Sequence, residues 1–181
     1  MLGKFGKSSR LSSRSRFFLD IFLTIASVLL CAFLSLTRLP GMEILGIGPN
    51  WLLIWLVSWS LNRSILDSVV AGLVLGAIED GLTTDYPSHI MVFGFIGFLT
   101  AKIHQQRYIK EELISVVLLV FGMTLLSEAF IALQYYLQGD RSPADLWVDY
   151  QRIALTSAVL SSLWSPVLYY PLHHWWRQLR E

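Results

Sequence analysis

The chain has 181 residues, of which 54% are hydrophobic and 15% are charged, with a formal net charge of +1. Its mean hydropathy is +0.54. The apolar share is higher and the charged share lower than in ordinary soluble domains, so the composition predicts an integral membrane protein. A spanning helix needs roughly 20 apolar residues, which leaves room for about six spans and no sizeable soluble domain. The single cysteine, Cys31, excludes an intrachain disulfide and a cysteine-based metal cluster.

Six apolar runs predict an all-α fold of about six transmembrane helices. The runs cover residues 17–36, 49–61, 65–82, 89–103, 113–137 and 153–172. The second and fourth runs are short for a span, and we expect snorkelling ends, a thinner bilayer or shielding by neighbouring helices. The first run is longer than the apolar part of a signal peptide and lacks a small-x-small cleavage site, which predicts an uncleaved span.

The distribution of lysine and arginine predicts which side of the membrane each loop faces. With the N-terminus in the cytoplasm, eleven basic residues fall on the inner side and three fall on the outer side. This bias favours six spans with both termini in the cytoplasm. We therefore divide the chain into a basic cytoplasmic tail (1–16), a six-helix transmembrane domain (17–176) and a cytoplasmic C-terminal end (177–181).

The third run, VVAGLVLGAIEDGL, carries an acid pair at its predicted outer end. Gly72, Gly76 and Asp80 recur every four residues and share one helix face, where glycines allow another helix to approach closely. The C-terminal end of a helix disfavours an anion, so the helix itself does not explain the acids. We expect Asp80 to be buried or to contact a partner, whereas for Glu79 a place at the waterline is equally favoured.

Glu128 is the deepest carboxylate, roughly 22 Å along the fifth run from its inner end. A central acid costs about 2.5–3.5 kcal/mol in lipid, so it is expected to face the interior. Arg152 begins the sixth run on the same side, which predicts a buried polar cluster of Glu128 and Arg152, with Asp80 as a possible third member. Fixing helix register is the favoured role of such a cluster. Asp20 lies one turn after Arg16, which predicts an ion pair within the first helix.

Tryptophan and histidine are the remaining side chains that could bind a ligand or take part in catalysis. Trp51 falls near the predicted outer interface, which assigns it to a membrane belt. Trp51, Trp55 and Trp59 also form a stripe that could stack on a ligand, although contact with lipid or with a helix is favoured. The histidines lack the HExxH and HxxEH spacings, and no nucleophile elbow or phosphate-binding loop occurs. We therefore expect no enzymatic activity, no metal and no cofactor. The basic loop at 102–110 is short and is followed by two glutamates, which favours a membrane anchor over a nucleic-acid site.

Three motifs, taken together, resemble those of the MreD family of bacterial rod shape-determining membrane proteins. They are PNWLLIWLVSWSL from Pro49, the GxxxGxxxD segment from Gly72 to Asp80, and LWSPVLYYPL around Trp164 and Pro166. Their order and spacing carry the resemblance, which covers nearly the whole chain after the basic tail. The segment TTDYPSH after Asp80 departs from the usual turn of the family.

The resemblance implies a non-enzymatic component of the cell-elongation machinery in the bacterial inner membrane. Such a protein holds the bitopic MreC and links the MreB filament to the RodA glycosyltransferase and its transpeptidase partner. The family is similar in fold to the six-helix substrate-binding subunits of energy-coupling-factor vitamin transporters. The implied partner-binding or helix-packing residues are Pro49, Asn50, Trp51, Gly72, Gly76, Glu79, Asp80, Trp164 and Pro166, and Glu128 stands where the family tends to place an acid.

Two functions of different class follow from this pattern. The first is a scaffold whose grooves bind other transmembrane helices, with lipid and MreC as partners. The second is a small-molecule-binding subunit of a vitamin-type transporter, which would need an outward pocket built from Glu128, Arg152, Tyr135 and Trp147. A scaffold should copurify with a bitopic partner, whereas a transporter subunit should carry a ligand and copurify with an ATPase module.

Overall fold

A computed structural model describes residues 13–37, 41–44, 46–83, 87–105, 113–139 and 143–180. These residues form six α-helices, which is the number of apolar runs in the sequence. The helices are α1 (Ser13–Leu36), α2 (Trp51–Ser60), α3 (Ile65–Thr83), α4 (His89–Gln105), α5 (Leu113–Gln138) and α6 (Pro143–Arg180). The all-α prediction is confirmed. Five helix positions match the runs closely, while α6 begins ten residues before its run because it includes a polar segment after Pro143.

Three of the described helices are long and apolar enough to cross a membrane, judged by length and composition. The corresponding segments are Phe18–Leu36, Leu113–Gln138 and Trp147–Trp175. Helix α2 has ten residues and is about 15 Å long, half of the hydrocarbon thickness of a bilayer. Helix α3 is longer, but Asp67, Glu79 and Asp80 interrupt its apolar character.

Helix α2 lies at the centre of the bundle. Nine of its ten residues are buried, and it packs against α1, α3, α4, α5 and α6. A helix that is apolar on every side is stable only when other helices or lipid enclose it, and here the other helices do so. Of the three explanations for its short length, the structure therefore supports shielding by neighbours.

The tryptophans of α2 are core residues in this arrangement. Trp51 and Trp55 are 5% and 1% exposed, and the Trp55 indole N–H donates to the Ser27 hydroxyl of α1 at 2.9 Å. Trp51 packs against Trp164 of α6 with ring centroids 5.6 Å apart. The stripe thus makes helix contacts, the favoured interpretation of the sequence, and the membrane-belt assignment of Trp51 is wrong.

Helices α3 and α4 form a tight hairpin whose contact consists of glycines. A methyl group at Gly72 would meet the Phe93 carbonyl, one at Gly97 would meet the Ser68 carbonyl, and one at Gly76 would lie 2.5 Å from the Ile90 Cα. These approaches are close enough that only glycine fits without a backbone shift. The glycine face of α3 is therefore occupied by α4 of the same chain.

The last helix contains Pro166 and Pro171 without ending at either. Proline has no N–H, so Pro166 cannot donate to the Ser162 carbonyl four residues earlier. The Ser165 hydroxyl donates to that carbonyl instead, at 2.8 Å. A hydroxyl that replaces the missing donor is the usual way in which membrane helices tolerate proline.

One ion pair joins α1 to the segment after α2. A guanidinium nitrogen of Arg63 lies 3.0 and 2.8 Å from the two carboxylate oxygens of Asp20. Asp20 therefore has Arg63 as a described partner, while the side chain of Arg16, which the sequence predicted, lies outside the described residues. The pair crosses between helices and ties the predicted cytoplasmic end of α1 to the end of α2.

Candidate functional site

The N-terminus of α2 is held by polar contacts to α6. The Asn50 side chain caps α2 by accepting from the Leu53 N–H at 3.0 Å, and the Asn50 backbone N–H donates to the Ser161 hydroxyl at 3.0 Å. An asparagine cap satisfies one of the free N–H groups that begin a helix. Together with the Trp51 and Trp164 rings, these bonds join α2 to α6 at the end of the bundle predicted to be external.

Asp80 is the centre of a second polar joint, between α3 and α4. Its carboxylate accepts from the Ser88 hydroxyl at 2.9 Å and from the His89 backbone N–H at 2.6 Å, and the His89 Nδ1 lies 2.8 Å away. A carboxylate is favourable at the N-terminus of a helix, and His89 is the first residue of α4. Asp80 lies near the C-terminal end of α3, and its carboxylate stabilises the N-terminus of α4.

Helix α5 holds the same turn from the other side. The Gln134 side chain both donates to the Ser88 carbonyl and accepts from the Ser88 N–H, each at 3.1 Å. Paired bonds of this kind satisfy both backbone polar groups of a residue that is outside a helix. The α3–α4 turn is thereby fixed to α3 through Asp80 and to α5 through Gln134.

A cavity of about 450 Å³ lies between these two joints. Its floor includes Pro49, Asn50 and Trp51, so the cavity occupies depth that a longer α2 would have filled. The segment before α2 contributes to the wall, and there Ile44 and Ile47 exchange two backbone hydrogen bonds of 3.0 Å around Gly46, whose φ is +78°. Its lining also includes Leu34, Glu43, Glu79, His89, Glu128, Ile131, Tyr135 and Ser157. We call this space the acidic cavity.

Glu79 and Glu128 both line the acidic cavity. The Glu79 Oε2 atom is buried and has no hydrogen-bond partner among the described residues. Glu128 is hydrogen-bonded to the side chain of Ser157 on α6. The two acids face a concave space between helices, which is the usual place for carboxylates within membrane proteins.

Arg152 does not join this group, which corrects the predicted pairing with Glu128. Its side chain is exposed, and the structure records no ion pair between the two residues in the ranges it describes. Five residues separate Arg152 from Ser157, which turns them about 140° apart around α6. Ser157 faces Glu128, so Arg152 points elsewhere.

We expect Arg152→Ala to change the free energy of unfolding by less than about 0.5 kcal/mol, as for most exposed positions. Glu128→Leu is expected to remove the hydrogen bond to Ser157 and to lower the free energy of unfolding by more than Arg152→Ala does. Thermal unfolding of both purified variants in detergent measures the difference. A large loss of stability in Arg152→Ala that disappears when Glu128→Leu is combined with it would show that the two residues form an ion pair after all.

Comparison with known proteins gives one match. The family model of the rod shape-determining protein MreD matches residues 15–178. The chain belongs to the MreD family. No curated protein and no solved structure matches the chain. The MreD family consists of structural membrane proteins that determine rod shape, so this chain has a role in rod shape determination.

Five of the ten residues that carried the resemblance to MreD line the acidic cavity. Those that line it are Pro49, Asn50, Trp51, Glu79 and Glu128. Asp80 holds the lining residue His89, and Trp164 packs on Trp51. Gly72 and Gly76 pack the hairpin that carries the two acids, whereas Pro166 lies further along α6. Three segments distant in the sequence thus surround one space.

Several residues at this site were not singled out from the sequence. Ser88, Gln134, Ser157 and Ser161 all bond across helices, yet isolated serines and glutamines give no pattern that indicates such a role. For His89, the signal available in the sequence is its position at the start of an apolar run that follows an acid. The described residues include no group of three His, Cys, Asp or Glu placed to hold a metal ion.

Proposed function

We propose that this MreD-family protein is a non-enzymatic scaffold of the bacterial cell-elongation machinery in the inner membrane. In this proposal it binds MreC and coordinates peptidoglycan synthesis by the RodA–transpeptidase complex with MreB. The observation that carries the proposal is the family match over residues 15–178. A bundle with large apolar outer faces and internally fixed helices supports it, since a scaffold needs a rigid body that other membrane helices can contact.

We place the MreC contact on the outward face of the α3–α4 hairpin. Val70, Val74 and Met91 are each more than half exposed there, and Phe95 is 39% exposed. The opposite side of each helix is fixed by the glycine contact and by Asp80, so this face is presented in one orientation. In a membrane, helix association depends on packing of such preformed surfaces.

Complementation and copurification test the scaffold proposal. Cells that lack the protein should become round, and the wild-type chain should restore rods and copurify MreC. A photo-crosslinking amino acid at Val74 should form an adduct with MreC, whereas the same group at Leu163, exposed on α6, should not. Restored rods without any MreC recovery would contradict the proposed partner, and equal crosslinking from both positions would contradict the proposed face.

We also propose six spans with both termini in the cytoplasm, on the basis of the eleven-to-three charge bias. Cysteines placed at Gln138 and Gln105 should report opposite sides, because both side chains are exposed at helix ends. Cys31 is first replaced by alanine, since it is the only native cysteine. An impermeant maleimide added to intact spheroplasts should label Gln138→Cys and spare Gln105→Cys. The reverse pattern would contradict this topology.

The acidic cavity supports a second candidate, the substrate-binding subunit of a vitamin-type transporter. Two of the residues expected for that pocket, Glu128 and Tyr135, line the cavity. Arg152 is exposed and Trp147 is 60% exposed, so the expected pocket is only half assembled from its predicted members. Copurification of an ATPase module together with a bound metabolite would favour the transporter, and recovery of MreC without either would favour the scaffold.

A further inference from the structure

The acidic cavity has the size and lining of a small-molecule site. Ligand pockets usually hold roughly 300–1,000 Å³ and combine apolar walls with a few polar groups. At about 450 Å³, this cavity has apolar and aromatic walls from Leu34, Trp51, Ile131 and Tyr135. Its position above the short helix α2 makes it a property of the fold and not of one loop.

The described lining carries three glutamates and one histidine. Glu43, Glu79 and Glu128 line the cavity, and its described lining contains no lysine or arginine. The nearby Asp80 is already bonded to Ser88 and to the first N–H of α4, and His89 lies against it. The Ser88 hydroxyl and the His89 N–H are therefore used by Asp80, while Glu79 and Glu128 face the space.

Neither glutamate forms a direct ion pair within the described residues, and His89, which lies near both, contacts Asp80. Glu128 is bonded to the neutral Ser157 side chain, and the buried Glu79 Oε2 atom has no hydrogen-bond partner in the same ranges. Buried carboxylates are costly without a paired charge, because the protein interior solvates them poorly. A cation that entered the cavity would meet two carboxylate acceptors.

We propose that the acidic cavity binds a small organic cation, an ammonium group carried on an apolar or aromatic body. The ammonium lies between Glu79 and Glu128, and the body packs on the wall formed by Trp51, Ile131 and Tyr135. Aromatic faces also attract a cation, which favours an ammonium over a neutral molecule of the same shape. This site goes beyond the scaffold role and would let the protein respond to an amine.

Calorimetric titration of the purified chain in a non-ionic detergent tests the proposal, with phenethylammonium as the probe. The matched control ligand is 2-phenylethanol, which has the same body and a neutral hydroxyl. We expect the ammonium to bind at least about tenfold more tightly, because bonds to a charged group are stronger than neutral ones. Equal affinities, or no detectable binding of the ammonium, would overturn the proposal.

Two variants locate the binding. Glu79→Gln and Glu128→Gln keep the shape of each side chain and should each weaken phenethylammonium binding by about tenfold. Asp67→Asn changes an exposed acid at the opposite end of α3 and should leave the affinity unchanged. If the glutamine variants bind as well as the wild type while their thermal unfolding is normal, the cation does not sit where we propose.

The source of the ammonium is distinguished by repeating the titration in nanodiscs. Phosphatidylethanolamine carries an ammonium headgroup, whereas phosphatidylglycerol does not. If the lipid headgroup occupies the site, the wild type should bind the probe more weakly in phosphatidylethanolamine discs than in phosphatidylglycerol discs. The Glu128→Gln variant should then show no difference between the two lipids. Equal probe affinity in both lipids supports a free amine. Either result is independent of MreC recovery, so failure of the scaffold proposal and failure of this one can be told apart.

Discussion

Alanine in place of Gly76 is expected to lower the free energy of unfolding by about 1–3 kcal/mol or more. The added methyl group would lie 2.5 Å from the Ile90 Cα and 2.7 Å from the His89 carbonyl oxygen. Both neighbours are backbone atoms, so relief requires α3 and α4 to separate. Separation would also pull Asp80 away from the start of α4. Thermal unfolding in detergent and complementation of cell shape at matched membrane levels measure the effect.

Gly81→Ala is the matched control on the same helix. An added methyl group at Gly81 meets no atom within 4 Å, so this substitution changes helix propensity without a collision. We expect Gly81→Ala to be neutral or slightly stabilising, because alanine favours a helix more than glycine by about 1 kcal/mol. Equal stability of Gly76→Ala and Gly81→Ala would contradict a close backbone contact between α3 and α4 at Gly76.

Asp80→Ala is expected to cost about 2–4 kcal/mol of stability, since it removes a helix cap and a carboxylate that accepts several hydrogen bonds. Ser88 and the His89 N–H both lose their acceptor, and the N-terminus of α4 loses its nearby negative charge. Asp80→Asn retains an acceptor oxygen without the charge and should lose less. The measurement is thermal unfolding of the three proteins side by side.

The same variants separate a structural role of Asp80 from a direct contact with MreC. If Asp80 acts through the α3–α4 turn, MreC recovery should decline in step with stability, with Asp80→Asn between the wild type and Asp80→Ala. Loss of MreC in Asp80→Asn at unchanged stability would instead indicate that the carboxylate touches the partner. Unchanged stability in Asp80→Ala would contradict the described network.

The sequence predicted the helices because membrane helices are the simplest pattern to detect, and the Gly72–Asp80 face because a four-residue repeat has only one helical geometry. It failed where burial and lipid contact look alike. Trp51 was assigned to a membrane belt because hydropathy is the same for a side chain in lipid and one between helices, and only the packing of α6 on α2 distinguishes them.

The partners of the charged residues were the other failure. Arg63 reaches Asp20 from a different segment, with both oxygens within 3.0 Å, a contact that proximity along one helix did not predict. The side chain of Arg16, the partner predicted from the sequence, lies outside the described residues. Arg152 was predicted for Glu128 by depth alone, although rotation about α6 presents Ser157 instead. Depth in a membrane can be counted from a sequence, whereas rotation about each helix axis depends on packing that the sequence does not display.

The burial of α2 has a consequence for biosynthesis. Its first residues are fixed by Ser161 and Trp164, which are more than a hundred positions later in the chain. During synthesis, α2 therefore leaves the ribosome long before the helix that covers it exists. A nascent chain that stops before α6 would leave Asn50 and Trp51 uncovered and the apolar core open on one side. The core around α2 can therefore close only after the last helix has been synthesised.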